Sequence, residues 1–102
     1  MAVTITKENF DELVMHSDKK VLLDFWAVWC GPCQMLGPIV EEIHEERPDI
    51  LVGKVDVDTE GDLAKKYRIM SIPTVLVLEK GEVVQRSVGF KPKAEILALL
   101  DK

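Results

Sequence analysis

Cysteine is scarce in this chain: Cys30 and Cys33 are the only two in 102 residues. Two cysteines three positions apart exclude a disulfide-stapled scaffold, and in a chain long enough to bury its own core a close pair points to a reducing compartment and to chemistry. Nowhere does an apolar run approach the roughly 20 residues needed to cross a bilayer. A basic stripe is missing too. Thirteen Lys and Arg stand against eighteen Asp and Glu, a net charge of −5, with the lysines scattered, which excludes nucleic acid and an acidic membrane surface as partners. The first residues, Met1 to Glu8, lack the charged segment and apolar core of a secretory signal. No repeat, low-complexity tract or Gly/Ser/Pro linker divides the chain. The expectation is a monomeric, cytoplasmic protein with one domain over residues 1–102.

The pattern that is present alternates strand-like and helix-like stretches. Val3 to Ile5 reads as a short strand, followed by a helix carrying Phe10, Leu13 and Val14 with Thr6 as its cap. Val21 to Trp26 is nearly continuous apolar sequence, as suits a strand covered on both faces. A long helix then runs from Cys33 to about Arg47, with Met35, Leu36, Ile39, Val40 and Ile43 as its apolar stripe and Pro38 predicting a kink. Leu51 to Val57 is a further strand, Thr59 to Tyr67 a helix, and Thr74–Leu78 with Glu82–Val88 a hairpin joined through Glu79-Lys80-Gly81. Lys93 to Leu100 closes the chain as a helix. This order implies an α/β fold: a mixed sheet of about five strands, the first three parallel, flanked on both faces by about four helices.

Both cysteines and both tryptophans fall between Phe25 and Cys33, where the most apolar strand meets the longest helix. The first turn of a helix leaves backbone N–H groups unpaired, and aligned peptide dipoles add roughly half a positive charge there. A thiolate at that end is stabilised, and the thiolate is the species that attacks disulfides. Cys30 therefore reads as a nucleophile. By spacing alone the pair is also compatible with half of a zinc site, which needs two further ligands from His16, His44 or the carboxylates. Asp24, in the strand leading to Cys30, either finds a partner or stays protonated, because desolvation raises a carboxyl pKa. His16 and His44 read as surface residues, and Glu41-Glu42 and Glu45-Glu46 as the solvated face of the long helix.

Trp29-Cys30-Gly31-Pro32-Cys33 resembles the active-site motif of the thioredoxin family, and the order of elements is similar to the thioredoxin fold over essentially the whole chain. The resemblance implies a general protein-disulfide reductase and electron carrier. Cys30 would form a mixed disulfide with a substrate protein and Cys33 would resolve it. It implies no cofactor beyond the redox-active Cys30–Cys33 disulfide, and recharging by a flavin-dependent thioredoxin reductase. Gly31 and Pro32 match the dipeptide of the family's reductants and, with Trp29, tune the pair. Asp24 matches a buried acid that takes the proton of the second cysteine, and Lys54 a lysine beside it. Pro73 matches a cis-proline facing the disulfide, with the Ile72 backbone pairing with substrate; Gly89 and Phe90, together with Trp29, complete an apolar rim.

Three features depart from the family pattern. Gln34 stands where many relatives carry a basic residue, Phe90 is bulkier than usual, and Lys91-Pro92 replaces a good cap for the last helix. Two other readings stay open on sequence: a disulfide oxidant or isomerase, and a binding module that uses the apolar rim irrespective of redox state.

Overall fold

The computed structural model describes residues 1–102. Its five strands are β1 (Val3–Thr4), β2 (Val21–Trp26), β3 (Leu51–Asp56), β4 (Thr74–Glu79) and β5 (Glu82–Val88), in one sheet of order β1-β3-β2-β4-β5. The helices are α1 (Gly31–Glu46), α2 (Gly61–Lys66) and α3 (Lys93–Leu100), preceded by a π-helical turn at Asp11–Met15. β1 and β2 both run parallel to β3, while β2 and β4, and β4 and β5, are antiparallel. The expected mixed sheet is present, with β3 inserted between the first two strands.

β2 has a partner on each side along nearly its whole length, which is why it tolerates so little polarity. Its side chains alternate between two cores. Leu22 packs with Val52, Val75 and Val77 under Leu36, Val40 and Ile43 of α1 and Ile96 and Leu100 of α3. Val21, Leu23 and Phe25 face the opposite layer, with Phe10 and Val14 near the π-helical turn and Leu63 of α2. Asp24 has the parity of Leu22, so it is delivered to the α1 side of the sheet.

Several boundaries and faces differ from the sequence reading. The first helix is a π turn, closed by a bond from the His16 N–H to the Asp11 carbonyl, five residues back. Its N-cap is Phe10, with no side-chain cap, and not Thr6; Thr6 instead closes the turn ahead of it, where its hydroxyl accepts from the Asn9 N–H at 3.3 Å while the Asn9 side chain accepts from the Thr6 N–H at 2.8 Å. Met35 is not core. α1 buries Cys33, Leu36, Val40 and Ile43, a single three-and-four stripe, and Met35 lies about a quarter turn off it and is 62% exposed. His44 is half-buried at the surface, and Glu41 leaves the solvated face to accept the Ala2 N–H at 2.7 Å. Pro38 sits within α1 as expected.

The β4–β5 hairpin turns through Lys80 and Gly81, both at positive φ (51° and 81°), the pairing that two-residue hairpins require. α3 begins at Pro92 with no side-chain cap, as Lys91-Pro92 implied. Gly53 of β3 packs tightly against Ile5 and Leu23. A Cβ built there would lie 2.6 Å from Ile5 Cγ1 and 3.0 Å from Leu23 Cδ2. Gly53→Ala is expected to cost about 1–3 kcal/mol through overpacking, read as a lowered urea midpoint with an unchanged m-value.

Candidate active site

Register assembles the reactive end of the sheet. Phe25 of β2 pairs with Thr74 of β4, and Thr74 pairs with Val88 of β5, so the loops after β2, before β4 and after β5 emerge side by side. These loops carry Trp29–Cys33, Ile72–Pro73 and Gly89–Phe90. Residues more than forty positions apart in sequence meet because three strand ends coincide.

Cys30 is the N-cap of α1, extended at φ −91°, ψ 113°, and its sulfur accepts the Cys33 N–H at 3.2 Å. An anion at this sulfur therefore receives an otherwise unpaired helix N–H and lies at the positive end of a 16-residue dipole. Gly31 and Pro32 occupy the first turn, where the missing proline N–H costs no hydrogen bond. Cys30 and Cys33 are disulfide-bonded, with Cα atoms 5.2 Å apart, and both are almost fully buried. The Cys30 sulfur lies 3.8 Å from the Ile72 carbonyl oxygen, and Ile72, Trp26 and Val57 pack on the small cluster formed by the two cysteines and Ala27.

The Ile72–Pro73 bond is cis, and Pro73 is buried. Its carbonyl accepts the Gly89 N–H at 2.8 Å, which ties the second and third loops together. Gly89 has φ +91°, a conformation that other residues adopt only with strain, so the backbone itself requires glycine here. Gly31 is different: a Cβ would meet nothing within 4 Å, which leaves its face of the site open to an incoming chain. Phe90 is 36% exposed and Trp29 71% exposed. The Trp29 indole is not free to swing, because its Nε1–H donates to Asp58 at 2.8 Å. Asp58 escaped the sequence reading; its place two residues past β3, level with the end of β2, could have flagged it. Gln34 donates to the Val28 carbonyl at 3.0 Å, so this departure from the family pattern holds the loop before Cys30.

Asp24 is completely buried, and neither carboxylate oxygen has a hydrogen-bond partner. Burial pushes its pKa up from 3.8 to about 7; Lys54 pulls it back down and Glu41 adds to the rise. Lys54 is directly opposite Asp24 across the β2–β3 pairing, and its ammonium lies 4.7 Å from the centre of the Trp26 ring. Lys54 thus acts on Asp24 through its field without an ion pair. Glu41 is the second residue whose part in the site sequence reasoning missed; half-buried on α1 and bonded to the Ala2 N–H, it adds its charge to the rise of Asp24. No group of three or more His, Cys, Asp or Glu gathers as a metal site, and His16 is engaged with Asp11.

A disulfide at a helix N-terminus, open to an extended chain on its Gly31 face and backed by a buried carboxyl whose pKa is raised to about 7, is built to exchange disulfides. The site thereby defines the class of the protein, a thiol-disulfide oxidoreductase. The family model for thioredoxin matches residues 1–102. The thioredoxin of Bacillus subtilis (strain 168) is 54% identical over 87 residues, 84% of each chain. That of Staphylococcus haemolyticus (strain JCSC1435) is 46% identical over 103 residues, covering 98% of this chain and 95% of the relative. The bifunctional thioredoxin reductase/thioredoxin of Mycobacterium leprae (strain TN) is 44% identical over 98 residues, 95% of this chain but 21% of that protein. The chain belongs to the thioredoxin family, and its activity is protein-disulfide reduction.

The Asp24 shift carries a stability consequence with a definite sign. Below about pH 4 the folded and unfolded chains both hold this proton. As pH rises the unfolded carboxyl ionises first, so stability falls until the folded group also ionises near pH 7. The gap between 3.8 and about 7 sets the loss at up to roughly 4 kcal/mol. Asp24→Asn removes it. Urea unfolding of both proteins is expected to show the variant gaining stability relative to wild type between about pH 4 and pH 8, with a flat difference outside that window.

Proposed function

We propose that residues 1–102 act as one domain, a monomeric cytoplasmic electron carrier in which Cys30 is the nucleophile and Cys33 the resolving thiol. The observation that carries the reading is Cys30 as helix N-cap with its sulfur on the Cys33 N–H. In the reduced protein the Cys30 thiolate attacks one sulfur of a substrate disulfide. That bond breaks, a mixed disulfide forms and the first substrate thiolate leaves. Asp24 then takes the Cys33 proton, and the Cys33 thiolate attacks the Cys30 sulfur, expelling the second substrate thiolate. Two electrons have passed to substrate, and the Cys30–Cys33 disulfide remains. A flavin-dependent thioredoxin reductase returns the electrons. The name of the Mycobacterium leprae relative, which joins a reductase to a thioredoxin, supports such a partner. No resident cofactor other than the disulfide takes part.

Substrate lies across the rim. The Ile72 backbone pairs with an extended substrate strand beside Pro73, while Trp29, Gly31, Gly89 and Phe90 supply the apolar contact; main-chain pairing accounts for breadth of substrate. Lys54 and Glu41 set the poise of Asp24. No helix is long and apolar enough to cross a membrane, in keeping with the proposed compartment.

Turnover of a protein disulfide tests the roles. Cys30→Ser is expected to abolish it, and Cys33→Ser to accumulate a mixed disulfide visible by mass spectrometry; full turnover by Cys30→Ser overturns the assignment. Asp24→Asn is expected to slow resolution of the mixed disulfide by on the order of ten- to a hundredfold near pH 7, the range of general-base effects, and to flatten its pH profile.

A further inference from the structure

Beyond the rim, two depressions run together on the α2 side of Trp29. The first, about 160 Å³, is lined by Trp29, Val57, Ile72 and the stretch Ile69–Ser71. The second, about 590 Å³, shares Val57, Ile69 and Met70 and continues to Ala64, Lys65 and Arg68. The groove is thus continuous with the site. Its wall includes Met70, which is 92% exposed, a large apolar side chain standing in solvent on the same depression as Trp29 and Ile72. Its far end is basic.

Lys65 and Arg68 supply that basic end, and neither side chain makes an ion pair or hydrogen bond within the protein, so both are free to meet an external anion. The acidic groups nearby are occupied or turned elsewhere. Asp58 holds the Trp29 indole, Glu60 accepts the Lys7 N–H, and Asp62 lines neither depression. Arg68 is held at φ 53°, just past the end of α2, where its N–H donates to the Lys65 carbonyl and the Ile69 N–H to that of Ala64. That is the position at which helices end on glycine, and a side chain there carries a conformational cost. Arg68 thus stands in a conformation that favours glycine, exposed with Lys65 at the end of an apolar groove that opens from the site, and this pairing of apolar wall and free positive charge complements a chain carrying an apolar and an acidic residue.

We propose that this groove reads the substrate strand past its cysteine, accepting an apolar side chain against Val57, Ile69 and Met70 and an acidic side chain at Lys65 and Arg68. The inference rests on the disulfide-reductase reading and adds a substrate class: disulfides flanked by an apolar and an acidic residue. Charge complementarity of two exposed cations gives selectivity and encounter rate, and only a modest share of affinity.

The test uses disulfide-bonded peptides that differ at one position, glutamate or lysine, moved stepwise along either side of the attacked cysteine with a leucine between. The ratio of kcat/KM, glutamate over lysine, is read within each protein, so changes in overall activity cancel. Wild type is expected to favour glutamate about three- to tenfold at the matching position, and to lose most of this in about 0.5 M salt. Lys65→Gln/Arg68→Gly is expected to bring the ratio close to one, with a melting temperature no lower than wild type because glycine relaxes residue 68. A wild-type ratio near one at every position, or a ratio unchanged in the double variant, overturns the groove while leaving the reductase reading intact. Failure of wild type to reduce a small uncharged disulfide overturns both.

Discussion

The double pairing of β2 is the constraint on which the reactive end depends. Flanked by β3 on one side and β4 on the other, the strand has no freedom of register: a slip of one residue would turn Leu22 and Asp24 toward the opposite core and carry Val21, Leu23 and Phe25 out of theirs. With the register set, the chain leaves the sheet after Trp26, reaches Cys30 and starts α1. The same register brings Thr74 and Val88 level with that exit, so the loops bearing Pro73 and Gly89 have no other place to go.

Asp24 shows what such a site costs. A carboxyl with no hydrogen-bond partner, in the centre of an apolar strand, works against stability wherever the unfolded chain would ionise it. Its burial is also what moves its pKa to about 7, the range in which a thiol proton can be exchanged near neutrality. Three elements share control of that value: β2 buries the group, β3 sets Lys54 opposite, and α1 supplies Glu41, which is itself anchored by the backbone of the N-terminal segment. The N-terminal segment, remote in sequence from the sulfurs, thus contributes to the electrostatics beneath them.

On the surface the site is asymmetric. Toward Gly31, Gly89 and Phe90 it offers backbone access and a flat apolar rim. Toward α2 it deepens into a groove with Met70 exposed and two unpaired cations at its end. Trp29 divides the two halves and is held upright by Asp58, so the shape is present before a partner arrives.

Much of this was legible in the order of residues. The periodicities of Val21–Trp26 and of Leu36, Val40 and Ile43, and the turn chemistry of Lys80-Gly81, are local properties, and they delimit strands, helices and hairpin to within a residue or two. The sulfur chemistry was legible as well, since a Cys-x-x-Cys pair at a strand-to-helix junction depends only on neighbours in sequence. Helix faces were less so: Met35 falls near the apolar stripe but outside it, because which arc of α1 is covered depends on the sheet beneath. The strand order that places β3 inside, the bond from Glu41 to Ala2 and the Trp29–Asp58 contact all join distant segments, and no local pattern encodes them. Sequence by itself determined which residues react, because reactivity follows from side-chain type and backbone neighbours; only the tertiary structure decided what surrounds them, because burial, field and groove are made by strands and helices meeting across the fold.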